Sequence, residues 1–549
     1  MKASDLFVKC LETEGVEYIF GVPGEENLDL LESLRTSKIK MIINRHEQAS
    51  AFMAATYGRL TGKPGICLST LGPGATNLIT GIAHAQLGGM PLIAITGQKA
   101  VRENMQANFQ VLDVVGMMRP ITKRALQIVG PKQIPKEIRQ AFKTATTERQ
   151  GACHIELPED IAHEQVDDKF TPHIPPHTRR PSADIKSIKE ASQLITQAKM
   201  PIIIISSRGQ RKLISEELKK FCNQTNIYVI HTQLGKGILG DNHKNSLFAF
   251  GIHKKDYVHC AIDKADLIIT IGYSTIEHPP SVWNKELNKK IIHIDYQGAD
   301  TDIYYNPICE VIGDINSSLQ NIATQVGQYH HTGSYEATLR KNLQTKLFET
   351  KHNDPSYPMR PRRIVSDIRK ALGNDDFLCL DNGIYKLWFS RHYPTYHYGT
   401  YLLDNTLATM GAGLPSAMTA KLVHPQNKVI AVCGDGGFMM NSQELETAMR
   451  LKLNIVIIIL NDNAFGFIKW KQQASKFPNF ALDYTNPDFV KYALSYGAHG
   501  FKIENADDFL PTIHKAFTLQ GPVIIECPID YTENKEVWND ELDRINCPL

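Results

Sequence analysis

Two aspartates that follow aliphatic runs are the residues of this chain best placed to do chemistry. Asp435 follows residues 428–432, Lys-Val-Ile-Ala-Val, within the sequence Cys-Gly-Asp-Gly-Gly, and Asp462 follows residues 454–460, Asn-Ile-Val-Ile-Ile-Ile-Leu. Such runs are typical of buried parallel strands, whose carboxyl ends form the ligand crevice of an open α/β sheet. Carboxylate oxygens there suit a hard divalent cation, and glycine-rich backbone suits phosphate. The pattern therefore predicts a site for Mg²⁺ and a diphosphate.

The composition is that of an ordinary globular chain. A length of 549 residues predicts about three to four domains, while 42% hydrophobic residues and a net charge of +2 indicate no nucleic-acid or membrane partner. No window approaches a membrane span, and the first residues lack the apolar core of a signal peptide. The ten cysteines form no CxxC pair, so we expect mostly small buried hydrophobes in a reducing cytoplasm.

The chain alternates amphipathic helices with short aliphatic strands, which predicts parallel sheets covered by helices. A stretch with four prolines, 170–182, and a polar stretch, 327–357, are predicted linkers. We therefore predict three consecutive doubly wound α/β domains at residues 1–168, 184–326 and 358–535. The predicted strands are residues 16–20, 40–44, 65–70, 91–96, 201–206, 227–230, 266–271, 290–294, 377–380, 428–432, 454–460 and 522–526.

The separation of the two aspartates resembles a known motif. Asp435 and Asp462 are 462 − 435 = 27 residues apart, and the second belongs to an Asn-Asp pair that ends a strand. A Gly-Asp-Gly and such a pair resemble the metal and diphosphate motif of thiamine-diphosphate enzymes; the plain alternative is two solvated strand-end turns. The resemblance implies that Asp435, Asp462 and the carbonyl of Ala464 hold Mg²⁺. It also implies cofactor contacts from neighbouring residues, namely Gly434, Gly436, Gly437, Phe465, Gly466 and Phe467.

A glutamate in the first domain strengthens the resemblance. Glu47 lies in the sequence Arg-His-Glu-Gln-Ala, which follows a predicted strand and opens a predicted helix. A first-turn carboxylate is favourable at any helix start, which is the plain structural interpretation. The resemblance implies instead that Glu47 is the catalytic acid that hydrogen-bonds the aminopyrimidine ring. That contact favours the imino tautomer, which deprotonates the thiazolium carbon.

Further segments resemble the family in the same order along the chain. In the segment 407–415 the resemblance implies that the carbonyl of Ala408 accepts a hydrogen bond from the 4′-amino group. Met410 would then be the wedge beneath the bent cofactor, although methionine among glycines is more often a gap filler. The other implied cofactor contacts are Pro23 and Gly24 in Gly-Val-Pro-Gly, Thr70 and Asn77 around Gly-Pro-Gly-Ala-Thr-Asn, and Asn382, Gly383, Ile384 and Tyr385 over the diphosphate.

Within this group the chain resembles acetolactate synthases most. Residues 109–113 and 119–123 are similar to the FQ…D…P(V/I)TK segment of that subfamily. The resemblance implies that Phe109, Gln110 and Lys123 bind substrate, with Gln110 orienting a pyruvate carboxylate. A surface role remains the plain interpretation of Gln110 and of the basic residues.

The sequence favours ligation over simple decarboxylation. The related decarboxylases use an adjacent histidine pair in the first domain to protonate the two-carbon unit, whereas the one adjacent pair here is His330–His331, in the second linker. We therefore expect transfer to a second pyruvate, which gives 2-acetolactate. An inactive cofactor-binding module is the alternative from another class, and an intact Glu47 argues against it.

The flavin question separates the enzymatic alternatives. Residues 271–284 resemble the GYDPIEY…WN stretch of FAD-free catabolic acetolactate synthases, and Asp462 in place of the commoner Asn agrees with that type. We therefore predict an FAD-free enzyme. The alternatives are a biosynthetic, FAD-containing acetohydroxyacid synthase with a small regulatory subunit, and a pyruvate oxidase that uses FAD.

Two departures from the family leave the acceptor substrate open. Catabolic synthases have Ala-Lys after the first turn, whereas this chain has Glu25–Glu26, either facing the site or lying in the first turn of the next helix. The loop after Asp462 also fits neither type. The family further implies that Glu47 of one subunit and Asp435 of another share a cofactor, which requires a homodimer or homotetramer.

Overall fold

The computed structural model of the chain describes residues 1–103, 108–176, 179–250, 254–542, 545 and 547. No helix within this part of the chain is long and apolar enough to cross a membrane. The chain divides into two compact units, which are described separately. The first unit comprises Met1–Thr178, Thr406–Gln426 and Gly437–Ile455, and the second comprises Arg179–Asn405, Asn427–Gly436 and Val456–Leu549.

The first unit is built on a six-stranded sheet. Every pairing in it is parallel, and the strand order is β2-β1-β3-β4-β6-β5. Strands β3, β4 and β6 are buried along their whole length, as expected for a parallel sheet with helices on both faces. The strands are β1 (Tyr18–Gly21), β2 (Lys40–Ile43), β3 (Gly65–Ser69), β4 (Leu92–Gln98), β5 (Arg124–Gln127) and β6 (Ala152–Pro158).

Seven helices from the first part of the chain accompany this sheet. Their apolar residues form a core with the strands, in which Phe7, Ile66 and Ile93 are fully buried. The helices are α1 (Ala3–Thr13), α2 (Leu28–Arg35), α3 (Glu47–Thr61), α4 (Gly72–Gly88), α5 (Val114–Met118), α6 (Ile134–Thr146) and α7 (Glu159–His163).

The second unit contains two further six-stranded sheets, and the first of these is parallel with the order β12-β11-β10-β7-β8-β9. Its strands are β7 (Pro201–Ile205), β8 (Tyr228–His231), β9 (Ser246–Ala249), β10 (Leu267–Ile271), β11 (Lys290–Asp295) and β12 (Cys309–Ile312). The helices that follow this part of the chain are α8 (Ile185–Gln197), α9 (Lys212–Thr225), α10 (His259–Lys264), α11 (Pro280–Trp283), α12 (Ile315–Val326) and α13 (Ser334–Gln344).

The third sheet is also parallel, in the order β14-β13-β15-β16-β18-β17. Its strands are β13 (Phe377–Leu380), β14 (Tyr401–Leu402), β15 (Val429–Gly434), β16 (Val456–Asn461), β17 (His499–Lys502) and β18 (Val523–Pro528). The remaining helices are α14 (Pro361–Ala371), α15 (Tyr385–His392), α16 (Gly413–Val423), α17 (Asp435–Met440), α18 (Glu444–Arg450), α19 (Gly466–Ala474), α20 (Phe489–Ser495) and α21 (Phe509–Ala516). Two of them, α16 and α18, belong to the first unit.

The predicted fold class is confirmed by the three parallel sheets. All twelve predicted strands are present, and each end lies within two residues of its predicted position. The strands that the sequence did not reveal are β5, β6, β9, β12, β14 and β17. The domain boundaries stay a prediction.

The cysteines differ from expectation in one respect. Eight are free and buried, as predicted, whereas Cys260 and Cys547 form a disulfide bond. These two residues are 287 positions apart in the sequence, and the connectivity of such a distant pair is not readable from cysteine spacing.

Candidate functional site

Glu47 lies at the start of α3, next to the turn that opens α4. Its neighbour His46 is the N-cap residue, and the ring Nδ1 accepts a hydrogen bond from Gln48 N at 3.1 Å. Asn77 Nδ2 donates to Glu47 Oε2 at 2.9 Å. A Cβ built on Gly74 would lie 3.2 Å from Glu47 Oε1, so the turn packs closely on the carboxylate. The structure thus brings together two residues that the sequence singled out, Glu47 and Asn77.

The segment around Met410 lies in the same unit as Glu47. Thr409 Oγ1 is 3.1 Å from His84 Nδ1 on α4. Asn441 Nδ2 donates to both Gln48 Oε1 and the carbonyl oxygen of Gly411, each at 2.9 Å. The neighbours of Glu47 and Met410 in sequence therefore share one partner within a single chain. The expectation that Glu47 and the third domain meet across a subunit boundary is not tested by a single chain and stays a prediction.

Ala408, whose carbonyl is the predicted acceptor for the cofactor amino group, has an unusual backbone. Its φ of 56° lies in the left-handed region, which residues with a Cβ adopt at an energetic cost. Such strain often accompanies functional positions, because the surrounding structure must hold it. The side chain is exposed, whereas Met410 is partly buried.

The turn that contains Pro23 and Gly24 packs against Thr70. A Cβ added to Gly24 would lie only 2.3 Å from the Cβ of Thr70, so no larger residue fits there. Thr70 Oγ1 donates to Glu26 Oε2 at 2.5 Å, and Lys99 Nζ lies 2.7 Å from Glu26 Oε1. Pro23 is exposed.

The paired acidic residues that depart from the family occupy different environments. Glu25 is exposed, whereas Glu26 is buried, and both lie in the short helical turn Glu25–Asn27 before α2. Burial raises the pKa of Glu26, but the hydrogen bonds from Lys99 and Thr70 outweigh it, so this pKa is lowered overall. Lys99 neutralises the carboxylate, so Glu26 does not present a bare negative charge.

Phe109 and Gln110, the predicted substrate contacts, are both exposed in the single chain. Phe109 retains 78% of its accessible surface. Gln110 has a φ of 60°, and its carbonyl oxygen would be 2.3 Å from a Cβ on Gly72. The backbone of Gln110 thus packs against the start of α4, whereas its side chain is exposed.

The ammonium group of Lys123 lies among backbone carbonyls. Its Nζ donates to three backbone carbonyls, those of Thr144 and Thr147 at 2.6 Å and of Arg149 at 2.7 Å. An ammonium group has three N–H donors, so all of them are used at the C-terminal end of α6. A cation is favourable there because of the helix dipole. Lys123 therefore caps a helix in the single chain, and its role in substrate binding stays a prediction.

In the second unit, Asp435 and the loop after β16 form one polar cluster. Asp435 Oδ2 accepts a hydrogen bond from Asn486 Nδ2 at 2.7 Å, and Oδ1 lies 3.1 Å from the hydroxyl of Tyr484. The same hydroxyl donates to the carbonyl oxygen of Ala464 at 3.0 Å. Asn486 Nδ2 is also 3.0 Å from Asn463 Oδ1. The predicted metal ligands Asp435 and Ala464 therefore meet around shared donors.

The electrostatics of this cluster fit a divalent cation. Burial raises the pKa of Asp435, although Asn486, Gly436 and Tyr484 partly offset it. Burial and the charge of Asp435 raise the pKa of Asp462 to about 7, against an opposing effect of Lys469. Two carboxylates whose pKa values are raised by desolvation are a suitable donor set for Mg²⁺, which takes oxygen ligands. No group of three or more His, Cys, Asp or Glu side chains arranged for a metal occurs among the described residues.

The glycines and aromatic residues of this cluster pack closely around the two carboxylates. A Cβ on Gly466 would lie 2.5 Å from Asp462 Oδ2, and one on Gly436 would lie 2.6 Å from the Tyr484 hydroxyl. The rings of Phe465 and Tyr484 meet edge to face at 5.0 Å. Phe467 is partly buried against the core of the third sheet. Of the other predicted contacts, Gly434 is partly exposed and Gly437 is buried.

The loop after β13 contains the predicted diphosphate contacts and a buried lysine. Lys386 Nζ donates to Asn382 Oδ1 at 2.8 Å and to Asn405 Oδ1 at 3.0 Å. Tyr385 lies against Gly383 and Gly434, each of which would place a Cβ within 3.1 Å of its ring. Ile384 is buried in the core of the third sheet. The cluster thus combines an ammonium group with neutral amides beside the Gly-Asp-Gly loop.

Sequence reasoning missed the residues that hold these groups in place. Tyr484 and Asn486 follow Asp435 by 49 and 51 residues and belong to no motif. Asn441 and Glu444 lie just beyond the glycine-rich loop, in a stretch that reads as an ordinary helix start. No periodicity or spacing distinguishes these residues, because their role depends on contacts with distant segments.

Comparison with protein families agrees with this geometry. Residues 1–117 match the N-terminal TPP-binding domain of thiamine pyrophosphate enzymes, and residues 188–322 match the central domain of these enzymes. Residues 381–527 match the C-terminal TPP-binding domain. Each matched range contains strands of a different one of the three parallel sheets. The fold and the site define a thiamine-diphosphate-dependent enzyme.

Characterised relatives cover nearly the whole chain. An acetolactate synthase of Bacillus subtilis (strain 168) is 33% identical over 99% of this chain and 96% of its own length. A catabolic acetolactate synthase of Raoultella terrigena is 33% identical over 97% of the chain and 95% of its own length. A probable acetolactate synthase large subunit of Methanococcus aeolicus is 32% identical over 96% and 92%. The chain belongs to the acetolactate synthase family and is a thiamine-diphosphate-dependent carboligase.

The buried lysine gives a testable pH dependence. Burial lowers the pKa of Lys386 to about 8, although the nearby charges of Asp404 and Asp381 oppose this effect. The folded-state pKa lies below that of the unfolded chain, so the unfolded state binds more protons between about pH 8 and about pH 10.4. We expect the wild type to gain stability relative to Lys386→Met as pH rises through this window.

Urea unfolding at several pH values measures this difference. Lys370→Met is a matched control, since Lys370 lies on the exposed side of α14 and is 44% exposed. A difference between wild type and Lys386→Met that stays constant from pH 7.5 to pH 10 would contradict the assignment.

Proposed function

We propose that the chain is an acetolactate synthase that decarboxylates pyruvate and joins the remaining two-carbon unit to a second pyruvate, giving 2-acetolactate and CO₂. The names of the relatives from Bacillus subtilis and Raoultella terrigena support this reaction. The observation that carries the proposal is the hydrogen bond between Asn77 and Glu47, at the junction of α3 and α4. It joins the acid that this chemistry requires to a turn that resembles the one in the family.

Thiamine diphosphate, when bound, supplies the acidic carbon that attacks the 2-oxo acid and the electron sink for decarboxylation. Glu47 would share a proton with the ring nitrogen of the bound pyrimidine, and Asn77 orients the Glu47 carboxylate. The carbonyl of Ala408 and the side chain of Met410 would hold the pyrimidine. Gln110 and Phe109 face the substrate, Gln110 through its amide and Phe109 through its apolar ring.

The diphosphate end of the site is proposed to lie at the third sheet. Asp435, Asp462 and the carbonyl of Ala464 would hold Mg²⁺, and the raised pKa values of the two carboxylates support this assignment. The loop of Asn382 to Tyr385 covers the phosphates. We also propose that the three sheets form separate domains at residues 1–168, 184–326 and 358–535.

The histidine pair supports ligation over protonation. His331 Nε2 lies 2.7 Å from Glu336 Oε1 and is buried, while His330 Nδ1 lies 3.0 Å from the carbonyl oxygen of Gln224. The ring of His331 therefore contacts α13, and the ring of His330 contacts α9. They are not available as the proton donors of a simple decarboxylase, so a carbon electrophile is the better acceptor.

A buried glutamate in the second sheet supports an FAD-free enzyme. Glu277 Oε2 accepts hydrogen bonds from Ser206 Oγ at 2.6 Å and Thr232 Oγ1 at 2.8 Å, and Oε1 accepts one from Leu234 N. These residues follow β7, β8 and β10, where doubly wound sheets bind nucleotides. A carboxylate at this position would repel a diphosphate, and it already accepts hydrogen bonds from three donors near the strand ends.

The products of pyruvate turnover test the reaction. With pyruvate, thiamine diphosphate and Mg²⁺, we expect acetolactate, measured as acetoin after acid treatment. Glu47→Gln should still bind the cofactor in calorimetry but turn over about 10²–10⁴-fold more slowly, the usual contribution of a general acid–base group. Acetaldehyde as the main product would refute ligation, and an unchanged rate in Glu47→Gln would remove Glu47 from the mechanism.

The absorbance spectrum of the purified protein tests the cofactor set. We expect no flavin band, because Glu277 occupies the strand ends of the second sheet. The control is the same spectrum of Glu277→Gln, which removes the negative charge but keeps a polar side chain of similar size. A near-stoichiometric flavin band in the wild type would favour a biosynthetic synthase, and its bleaching by pyruvate would favour a pyruvate oxidase.

Complementation between two inactive variants tests the subunit arrangement. We propose a dimer, or a pair of dimers, in which Glu47 and Asp435 of each site come from different subunits. Co-expression of Glu47→Gln and Asp435→Asn chains should then restore about a quarter of wild-type activity, since half of the dimers are mixed and each has one intact site. Activity no higher than that of either variant alone would place both residues in one subunit.

A further inference from the structure

Glu444, the first residue of α18, is a buried acid with an unusually full set of donors. It has no accessible surface. Its Oε1 accepts hydrogen bonds from the backbone N–H groups of Arg45 at 2.9 Å and His46 at 3.0 Å. Its Oε2 accepts from Asn44 Nδ2 at 3.0 Å and from Thr447 Oγ1 at 2.7 Å. Three of the four donors thus come from a segment about 400 positions earlier in the chain.

That segment leads directly into Glu47. Residues 44–46 connect β2 to α3, and Glu47 is the first residue of α3. Hydrogen bonds to a carboxylate are stronger than those between neutral groups. Two of them act on consecutive backbone N–H groups, so they fix the path of the chain and not merely a side-chain rotamer. The direction in which Glu47 leaves the backbone follows from that path.

The other side of Glu47 is held from the same part of the chain. Asn441, three residues before Glu444, donates to the side chain of Gln48 and to the carbonyl of Gly411, each at 2.9 Å. Asn441 is also buried. Contacts from residues 441–444 therefore bracket Glu47 on both sides, and one of them extends to the neighbour of Met410.

We propose that Glu444 is a positioning residue for the reaction, which orients Glu47 toward the cofactor ring by holding residues 44–46. This inference rests on the proposed role of Glu47. Glu444 itself touches neither substrate nor cofactor. Its loss should lower the rate at which the bound cofactor exchanges its acidic proton, and should leave the affinity for the diphosphate end nearly unchanged.

The arrangement of the four donors defines the informative variants. In Glu444→Gln, an amide oxygen at the Oε1 position would keep both backbone hydrogen bonds, while the NH₂ group would face Asn44. The Asn44 Oδ1 atom is buried without a hydrogen-bond partner, so rotation of its amide offers an acceptor. Glu444→Leu removes all four acceptor contacts at similar size. Glu444→Asp keeps the charge but retracts it by one methylene group.

A matched control lies on the same helix. Glu446 is two residues further along, pairs with Arg450 Nε at 3.0 Å and is 34% exposed. Glu446 has no hydrogen bond to residues 44–46, and Glu446→Leu removes the same type of charge from α18 while Arg450 can keep its hydrogen bond to the Ile43 carbonyl. We expect this variant to behave as the wild type in every measurement below.

The first measurement is made without cofactor. Amide hydrogen–deuterium exchange of the peptide spanning residues 44–50 is followed by mass spectrometry. We expect faster exchange in Glu444→Leu and Glu444→Asp, and wild-type exchange in Glu444→Gln and Glu446→Leu. Wild-type protection of this peptide in a folded Glu444→Leu protein would overturn the proposal.

The second measurement is made with saturating thiamine diphosphate and Mg²⁺, whose affinity is determined by calorimetry. Exchange of the acidic cofactor proton is followed by NMR after acid quench. We expect a decrease of about 10–100-fold in Glu444→Leu, the range that a misplacement near 1 Å produces, with rescue by Glu444→Gln. Should Glu444→Leu fail to fold, Glu444→Asp decides: an exchange rate within about threefold of wild type overturns the proposal.

The outcomes separate this inference from the proposed function. If the wild type fails to accelerate cofactor proton exchange, or if Glu47→Gln exchanges at the wild-type rate, the proposed role of Glu47 is wrong. The experiment without cofactor still decides whether Glu444 holds residues 44–50. If Glu47→Gln abolishes exchange and Glu444→Leu does not reduce it, the role of Glu47 stands and that of Glu444 falls.

Discussion

Strands that are buried on both faces exclude charged side chains, and the positions of the site residues depend on this constraint. In the three parallel sheets the central strands consist almost entirely of aliphatic residues, so ionisable groups of the site stand just beyond the strand ends. Asp435 begins where β15 ends, and Asp462 follows the last residue of β16. Glu277 lies at the same edge of the second sheet. Because parallel strands all end on one side, these groups are gathered without any need for sequence proximity.

Each buried acid is then held by donors from remote parts of the chain. Asp435 is met by Tyr484 and Asn486, and Glu444 by the backbone before α3. A buried carboxylate without such partners would be costly, so the donors are a condition of its burial. The same hydrogen bonds fix the position of each acid relative to the segment that it contacts. Catalysis by orientation requires positions of this kind.

Much of the fold followed from the sequence, and the strands that were missed show why the rest did not. Central strands such as β7 and β16 are recognisable in the sequence as β-branched runs, because strands buried on both faces are rich in such residues. Of the six missed strands, β5, β9, β12, β14 and β17 lie at sheet edges. An edge strand has one neighbour, is often short and tolerates polar residues, so its pattern resembles a loop.

The candidate site divides in the same way. Glu47 and Asp435 stand in local motifs that the chain alone reveals, and so does Asn77, which the structure places on Glu47. For Lys123, the sequence gives no sign of which backbone carbonyls the ammonium group contacts. Its partners at the end of α6 lie 21 to 26 residues further along the chain. Residues that position other residues, such as Glu444, cannot be recognised from the sequence, because their contacts are with a distant segment of the chain.

The order of strands in the third sheet, β14-β13-β15-β16-β18-β17, is that of the first sheet, β2-β1-β3-β4-β6-β5, with every number raised by twelve. Equivalent strands are followed by equivalent loops: Gly-Val-Pro-Gly after β1 matches Asp-Asn-Gly after β13, and Gly-Pro-Gly after β3 matches Gly-Asp-Gly after β15. One scaffold is thus used twice, and the two copies differ in the residues that their loops carry. Under the proposed function, one copy supplies the acid for a neutral ring, and the other supplies the carboxylates for a charged tail.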